Sequence, residues 1–84
     1  METNEIIYCL KQIVKPYVQN DMAFDDFGKE TDFIKDLEIN SANLVDIILD
    51  VEDEFDIAID NDSMDKMITV QDAVQIIKTK QEGA

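Results

Sequence analysis

The sequence predicts an all-α fold with three main helices, one short helix and a long loop between the first and second helices. Three segments carry apolar residues at three- and four-residue steps, which is the spacing of one buried helix face. Polar residues suited to helix starts stand at or near the beginning of each segment. The 84 residues are 45% hydrophobic, enough for one core without metals or disulfides. We therefore expect residues 1–84 to form a single domain.

The first helix is predicted from the apolar series between Ile6 and Tyr17, and Thr3 or Asn4 is expected to cap its start. Pro16 lacks a backbone donor and clashes with the preceding turn, so a kink or break is expected near residues 14–16. Cys9 is the only cysteine and lies in this apolar stretch. We interpret it as a small core residue because it has no partner for an internal disulfide.

The segment from Asn20 to about Thr31 has no helical period and is interpreted as a long loop. We expect Phe24 or Phe27 to dip into the core and hold it. The next residues, 32–37, are too few for more than one helical turn.

The second helix is predicted to begin at Asn40-Ser41, because Asn and Ser are favoured caps, and to end near Phe55. Val45 and Leu49 fall between its two faces, where an apolar side chain is available to a partner. The inward residues are Leu44, Ile47, Ile48, Val51 and Phe55, and the solvated acidic residues are Asp46, Asp50, Glu52, Asp53 and Glu54.

Residues 56–59 are predicted to be extended, and residues 60–65 can hold at most the one short helix. Thr69 is expected to cap the last helix, with Asp72 three positions on as an acidic form of the capping box. The inward residues of that helix are predicted to be Val70, Ala73, Val74 and Ile77.

The charge balance excludes several functional classes. Twenty acidic residues against seven lysines give a net charge of −13, so nucleic acid and anionic membranes are poor partners and a basic protein is a suitable one. The absence of His and Arg removes nucleophile–histidine pairs, imidazole metal sites and guanidinium clamps, so we expect no enzyme activity. The N-terminus lacks the pattern of a signal peptide and no apolar run approaches a membrane span, which predicts a cytoplasmic protein.

Two acidic motifs are interpreted as solvated surface. The run that begins at Asp60 opens like a calcium loop, but Asp65 stands where that loop needs Gly and Gln71 where it needs Glu. The carboxylates of residues 52–56 point to different sides of a helix, so they do not converge for acid–base chemistry. We predict no catalytic residue and no metal ligand.

Ser41 has two interpretations on physical grounds. Its hydroxyl stands at a predicted helix N-terminus, where free amides and the macrodipole favour an attached phosphate. The favoured interpretation on these grounds is a simple capping serine, because Ser is common at caps, and Asn40 can cap equally well. The residues by themselves leave both open.

The surrounding residues carry a family resemblance. Residues 36–48 read DLEINSANLVDII, residues 51–57 read VEDEFDI, and Ile59 follows. This pattern resembles the acyl carrier protein family, which usually reads DLGxDSL around its modified serine and then has an acidic helix ending in ExxF. The TVQDA of residues 69–73 is similar to the start of the family's last helix, and the resemblance extends over about residues 31–80.

The resemblance implies a small acyl-carrier-like bundle in which Ser41 bears 4′-phosphopantetheine through a phosphodiester. The thiol of that arm holds an acyl group as a thioester while separate enzymes act on it. The implied partners are a phosphopantetheinyl transferase and acyl-loading and acyl-processing enzymes with basic docking patches, and we expect a monomer. The family's partner-binding surface maps onto Asn40, Asn43, Val45, Asp46, Leu49, Glu52 and Asp53.

Three departures from the family pattern predict a specialised member. Asn40 replaces the usual Asp, Ala42 the usual Leu, and Glu38 the usual Gly. The alternative function is an acidic helical adaptor that binds a basic protein surface without a prosthetic group. It would use the same anionic helix and the apolar pair Val45 and Leu49.

Overall fold

The computed structural model describes residues 2–82 and confirms the all-α fold. Three helices of 12 or 13 residues carry the architecture, and the predicted single short helix is accompanied by a second one inside the predicted loop. The helices are α1 (Thr3–Val14), α2 (Asp21–Asp25), α3 (Asn43–Phe55), α4 (Asn61–Asp65) and α5 (Val70–Glu82), and a 3₁₀ turn (Lys15–Tyr17) follows α1.

Helix α1 breaks where Pro16 predicts. It ends at Val14, and Pro16 falls at the start of the 3₁₀ turn. An N–H at this position has no acceptor within the helix, so its absence from proline costs no hydrogen bond. The predicted cap is wrong, because Glu2 occupies the N-cap position and no side chain accepts a bond there. The Thr3 hydroxyl instead accepts a hydrogen bond from the Lys78 ammonium, which ties α1 to α5.

Both phenylalanines of the predicted loop pack against the core. Phe24 and Phe27 are half-buried, with ring centroids 6.2 Å apart, and the Lys11 ammonium lies 5.1 Å from the centroid of the Phe24 ring. Helix α2 forms because the Asn20 side chain accepts a hydrogen bond from the Ala23 amide at 3.3 Å. This Asn capping signal is the one that the prediction of an unbroken loop overlooked.

The core lies among α1, α3, α5 and residues 33–39. The predicted inward faces of α3 and α5 are confirmed, except that Leu44 is only half-buried. The buried residues are Ile6, Leu10, Val14, Phe33, Leu37, Ile39, Ile47, Ile48, Val51, Phe55, Met67, Val70, Ala73, Val74 and Ile77.

Cys9 is half-buried against this core, as predicted for a structural residue. Burial raises the pKa of its thiol, and the nearby carboxylates of Glu54 and Glu5 raise it further. Across residues 2–82, none of the helices is long and apolar enough to cross a membrane.

The capping box at the start of α5 is confirmed. The Asp72 amide donates to the Thr69 hydroxyl at 3.3 Å, and the Thr69 amide donates back to the Asp72 carboxylate at 3.0 Å. An antiparallel bridge joins Thr69 to Asp32, and the Phe33 amide donates to the Ile68 carbonyl at 3.1 Å. These bonds hold residues 31–37 beside the start of α5.

Candidate functional site

Ser41 is exposed and lies two residues before the first residue of α3. The predicted start at Asn40-Ser41 is therefore too early, and Ala42 occupies the N-cap position without a side-chain bond. The Ser41 hydroxyl makes no hydrogen bond with residues 2–82, so it is not the cap. Its oxygen is accessible from solvent.

Asn40 organises the turn in front of α3. Its side-chain oxygen accepts from the Ala42 amide at 2.9 Å, and its carbonyl accepts from the Asn43 amide at 2.8 Å. The Leu44 amide donates to the Ser41 carbonyl at 3.2 Å. The three amides after Ser41 are thus occupied, so the expectation of free amides for a phosphate is wrong for them. The dipole of α3 remains as the favourable field.

The segment before Ser41 is held in place by Ile39. This side chain is buried, with 1% of its surface exposed, and its amide donates to the Phe33 carbonyl at 3.2 Å. Glu38 precedes it in the left-handed region with φ 56°. That conformation is one glycine adopts without strain, and glycine is the residue that the family pattern has at this position.

A groove of about 410 Å³ opens beside Ser41. We call it the Ser41 groove. Its walls come from the segment before Ser41, from the start of α3, and from α4 and the residues after it. The lining residues are Asp32, Ile34, Lys35, Ser41, Leu44, Val45, Met64, Asp65, Met67 and Ile68. A larger open cleft of about 740 Å³ lies beside α2 and includes neither Ser41 nor any residue of α3.

The predicted partner-binding residues differ in their exposure to solvent. Val45 and Leu49 are 52% and 57% exposed, as their position between the two faces predicts. Asn43 is half-buried, whereas Asn40, Asp46 and Asp53 are exposed. The exposed members therefore remain available to a partner.

Glu52 is the member that differs from expectation. The sequence predicts a solvated carboxylate, but Glu52 is half-buried and its Oε2 accepts a hydrogen bond from the Ile59 amide at 2.7 Å. The prediction is wrong because helical periodicity describes only the helix itself, whereas the chain after α3 folds back and contacts Glu52. The carboxylate is engaged inside the molecule.

Two apolar residues of the site escaped sequence reasoning. Ile34 and Ile68 are 39% and 55% exposed and line the Ser41 groove from segments distant in sequence. The one sequence signal for their exposure is that neither isoleucine belongs to a predicted inward helix face. Their proximity to Ser41 depends on the bridge between Asp32 and Thr69.

The chemistry available at this site is that of an accessible hydroxyl. No general base is hydrogen-bonded to Ser41 within residues 2–82, and an unactivated serine is a weak nucleophile. The same residues hold no group of three or more side chains able to ligate a metal. The Ser41 hydroxyl therefore has no activating group of its own among the described residues.

Comparison with known proteins gives consistent relatives. The chain is 37% identical over 81 residues to an acyl carrier protein of Lactobacillus acidophilus, covering 96% of this chain and 99% of the relative. It is 38% identical over 76 residues to an acyl carrier protein of a Picosynechococcus species, covering 90% and 91%. An acyl carrier protein of Desulforapulum autotrophicum is 38% identical over 71 residues, which are 84% and 91% of the two chains. No protein-family model matches the chain.

Proposed function

This chain belongs to the acyl carrier protein family and acts as an acyl carrier, and we propose that Ser41 is the residue that bears its 4′-phosphopantetheine arm. One observation carries the proposal: an exposed hydroxyl, free of hydrogen bonds within residues 2–82, lines the Ser41 groove just before α3. The arm would be joined through a phosphodiester to Ser41 Oγ.

The residues around Ser41 fit such an arm. The serine is accessible to a transferase, and the phosphodiester charge would lie before the N-terminus of a 13-residue helix, where the dipole favours an anion. Lys35 lines the same groove and makes no ion pair within residues 2–82, so its ammonium is available near an anion. When bound, the arm supplies the thiol that holds an acyl group as a thioester.

The chain itself would not catalyse a reaction. What supports this is the unactivated Ser41 hydroxyl and the absence of His and Arg from the sequence. Its residues would orient the arm, while a phosphopantetheinyl transferase and acyl-processing enzymes carry out the bond changes. In the transferase reaction, Ser41 Oγ would form a bond to the phosphorus next to the pantetheine and give its proton to a base of the transferase. The P–O bond of the coenzyme A pyrophosphate would break, and adenosine 3′,5′-bisphosphate would leave.

We assign recognition to the exposed residues around Ser41 and on α3. Asp46 and Asp53 would attract basic docking patches, and Val45 and Leu49 would supply apolar contact. Asn40 would help to recognise the partner and also hold the turn. Asn43 is half-buried and would contribute less. A cytoplasmic location, a single domain, a monomer and a specialised pathway stay predictions from the sequence.

The test is an intact-mass measurement after incubation with coenzyme A and a phosphopantetheinyl transferase. We expect the phosphopantetheine increment on the wild-type chain and none on Ser41→Ala. Circular dichroism should show that Ser41→Ala folds, because the turn depends on Asn40 and not on the Ser41 hydroxyl. An increment on Ser41→Ala would show that another residue bears the arm. A wild-type chain that several transferases leave unmodified would favour the adaptor function.

A further inference from the structure

Glu52 binds the segment that connects α3 to α4. The Ile59 amide donates to Glu52 Oε2 at 2.7 Å, and the Ile57 amide donates to the Glu52 carbonyl at 3.1 Å. The chain can fold back on α3 because Asp56 adopts a left-handed conformation, with φ 54° and ψ 52°. A single residue thus fastens residues 57–59 through both its backbone and its side chain.

The next residue, Asp60, fastens the same segment to other elements. Its carboxylate accepts from the Ser63 amide at 2.8 Å, which caps α4, and lies 3.6 Å from the Lys80 ammonium of α5. The Ser63 hydroxyl is the main reason why the pKa of Asp60 is lowered, and the Ser63 amide lowers it further. Helix α4 therefore starts from a segment held by α3 on one side and by α5 on the other.

Helix α4 forms one wall of the Ser41 groove through Met64 and Asp65. Met64 is half-buried and packs against the core, as do Ile57 and Ile59 of the connecting segment. This wall has no strand and only a five-residue helix to stiffen it. Its position follows from the attachments at residues 59 and 60.

We propose that Glu52 is a positioning residue, whose carboxylate clamps the α3–α4 connection and so fixes the α4 wall of the Ser41 groove. Its acidity then serves the Ile59 amide and not a docking enzyme. The functional importance of the groove rests on the proposed attachment of the arm to Ser41. The clamp itself is a property of the unmodified chain.

The clamp and a docking charge depend on different properties of the side chain. The clamp needs an acceptor oxygen at the end of a side chain as long as Glu. Glu52→Gln therefore keeps the hydrogen bond to the Ile59 amide, and Glu52→Asp, one methylene shorter, loses it. A docking charge needs only the negative charge, so Glu52→Asp keeps it and Glu52→Gln loses it. Glu54→Ala is the matched control, because Glu54 has the same side chain on the same helix and is exposed.

The first measurement is amide hydrogen exchange on the unmodified chain by nuclear magnetic resonance. We expect the Ile59 amide to exchange about 10- to 100-fold faster in Glu52→Asp and Glu52→Ala, since a hydrogen bond to a charged acceptor is lost. Glu52→Gln should stay within about fivefold of wild type, since a neutral acceptor remains. Glu54→Ala should match wild type. Unchanged Ile59 exchange in Glu52→Asp would overturn the clamp.

The second measurement follows the groove wall and the partner. The Met64 methyl resonance should shift in Glu52→Asp and stay near its wild-type position in Glu52→Gln. Association with a phosphopantetheinyl transferase should be slowed more by Glu52→Asp than by Glu52→Gln, and the reverse order would assign Glu52 to docking and overturn the proposal. A wild-type chain that never gains the arm would refute the proposed function but leave the Ile59 and Met64 results standing.

Discussion

Replacing Glu38 by glycine should stabilise the protein. Glu38 has φ 56°, where an L-residue with a Cβ loses about 1–2 kcal/mol of stability relative to its ordinary conformations. Its side chain is exposed and makes no hydrogen bond within residues 2–82, so little is lost on its removal. Glycine escapes the steric cost, but its more flexible unfolded chain offsets about 0.4–1 kcal/mol of the gain.

The expected net effect is a stabilisation of about 0.5–1 kcal/mol. For a domain of this size that corresponds to a rise in melting temperature of about 2–8 °C. Urea unfolding followed by circular dichroism should show a higher midpoint with an unchanged slope, which indicates a change in stability and not in the surface exposed on unfolding.

The matched control is Glu38→Ala, because it removes the same negative charge and keeps the Cβ. Any gain from relieved charge repulsion appears in both variants, and only Glu38→Gly gains from the backbone. If Glu38→Gly were no more stable than Glu38→Ala, the left-handed conformation would not be a source of strain. The Ser41 modification should proceed in both, since neither touches Asn40 or the start of α3.

Three further outcomes are expected. Reversing Asp46 and Asp53 to Lys should slow association with a basic transferase by about 10- to 1,000-fold, and by less at high salt. Leu49→Ala should mainly raise the dissociation rate. Equal salt dependence of binding in the two variants would contradict this separation of charge and apolar contact. The melting temperature should rise as sodium chloride goes from very low to physiological concentration, and rise further with millimolar magnesium. The reason is that 11 acidic residues and no basic one lie between residues 35 and 66, and salt screens their repulsion over about 8–10 Å. A flat trend would show that charge repulsion does not limit stability. Because the pKa of Asp60 is lowered by folding, its carboxylate stabilises the protein above the unfolded pKa of 3.8, and this contribution is lost as the pH falls below 3.8. On acid titration, Asp60→Asn should therefore lose less stability than wild type. An identical loss in both proteins would exclude this contribution.

The sequence predicted the parts of this protein that depend on local patterns. The inward faces of α3 and α5, the break at Pro16 and the capping box at Thr69 follow from periodicity, proline geometry and residues three positions apart. Each feature involves neighbours within one helical turn or on one helix face, so it can be predicted without any knowledge of tertiary contacts. The choice of Ser41 came from the residues around it and from the resemblance that they carry.

The sequence did not predict which of several possible hydrogen-bond partners a polar side chain takes. Helix α3 begins after Ser41 because Asn40 uses its side chain and its carbonyl in the turn, and Thr3 bonds Lys78 instead of capping α1. Both Asn40 and Thr3 suit a cap by residue type, but Asn40 bonds the nearby Ala42 and Asn43 amides in a turn, whereas Thr3 bonds Lys78 from the other end of the chain. Such competition between partners is invisible in a one-dimensional pattern.

The pattern of residues is enough to predict the three main helices, their buried faces and an excess of negative charge around a candidate serine. The folded chain brings Ile34 and Ile68 into the wall of the Ser41 groove and lets Glu52 bind the Ile59 amide, and neither follows from the residue pattern. The physical reason is that a helical period fixes which side of a helix a residue occupies. The left-handed turn at Asp56 and the bridge between Asp32 and Thr69 fix what that side meets.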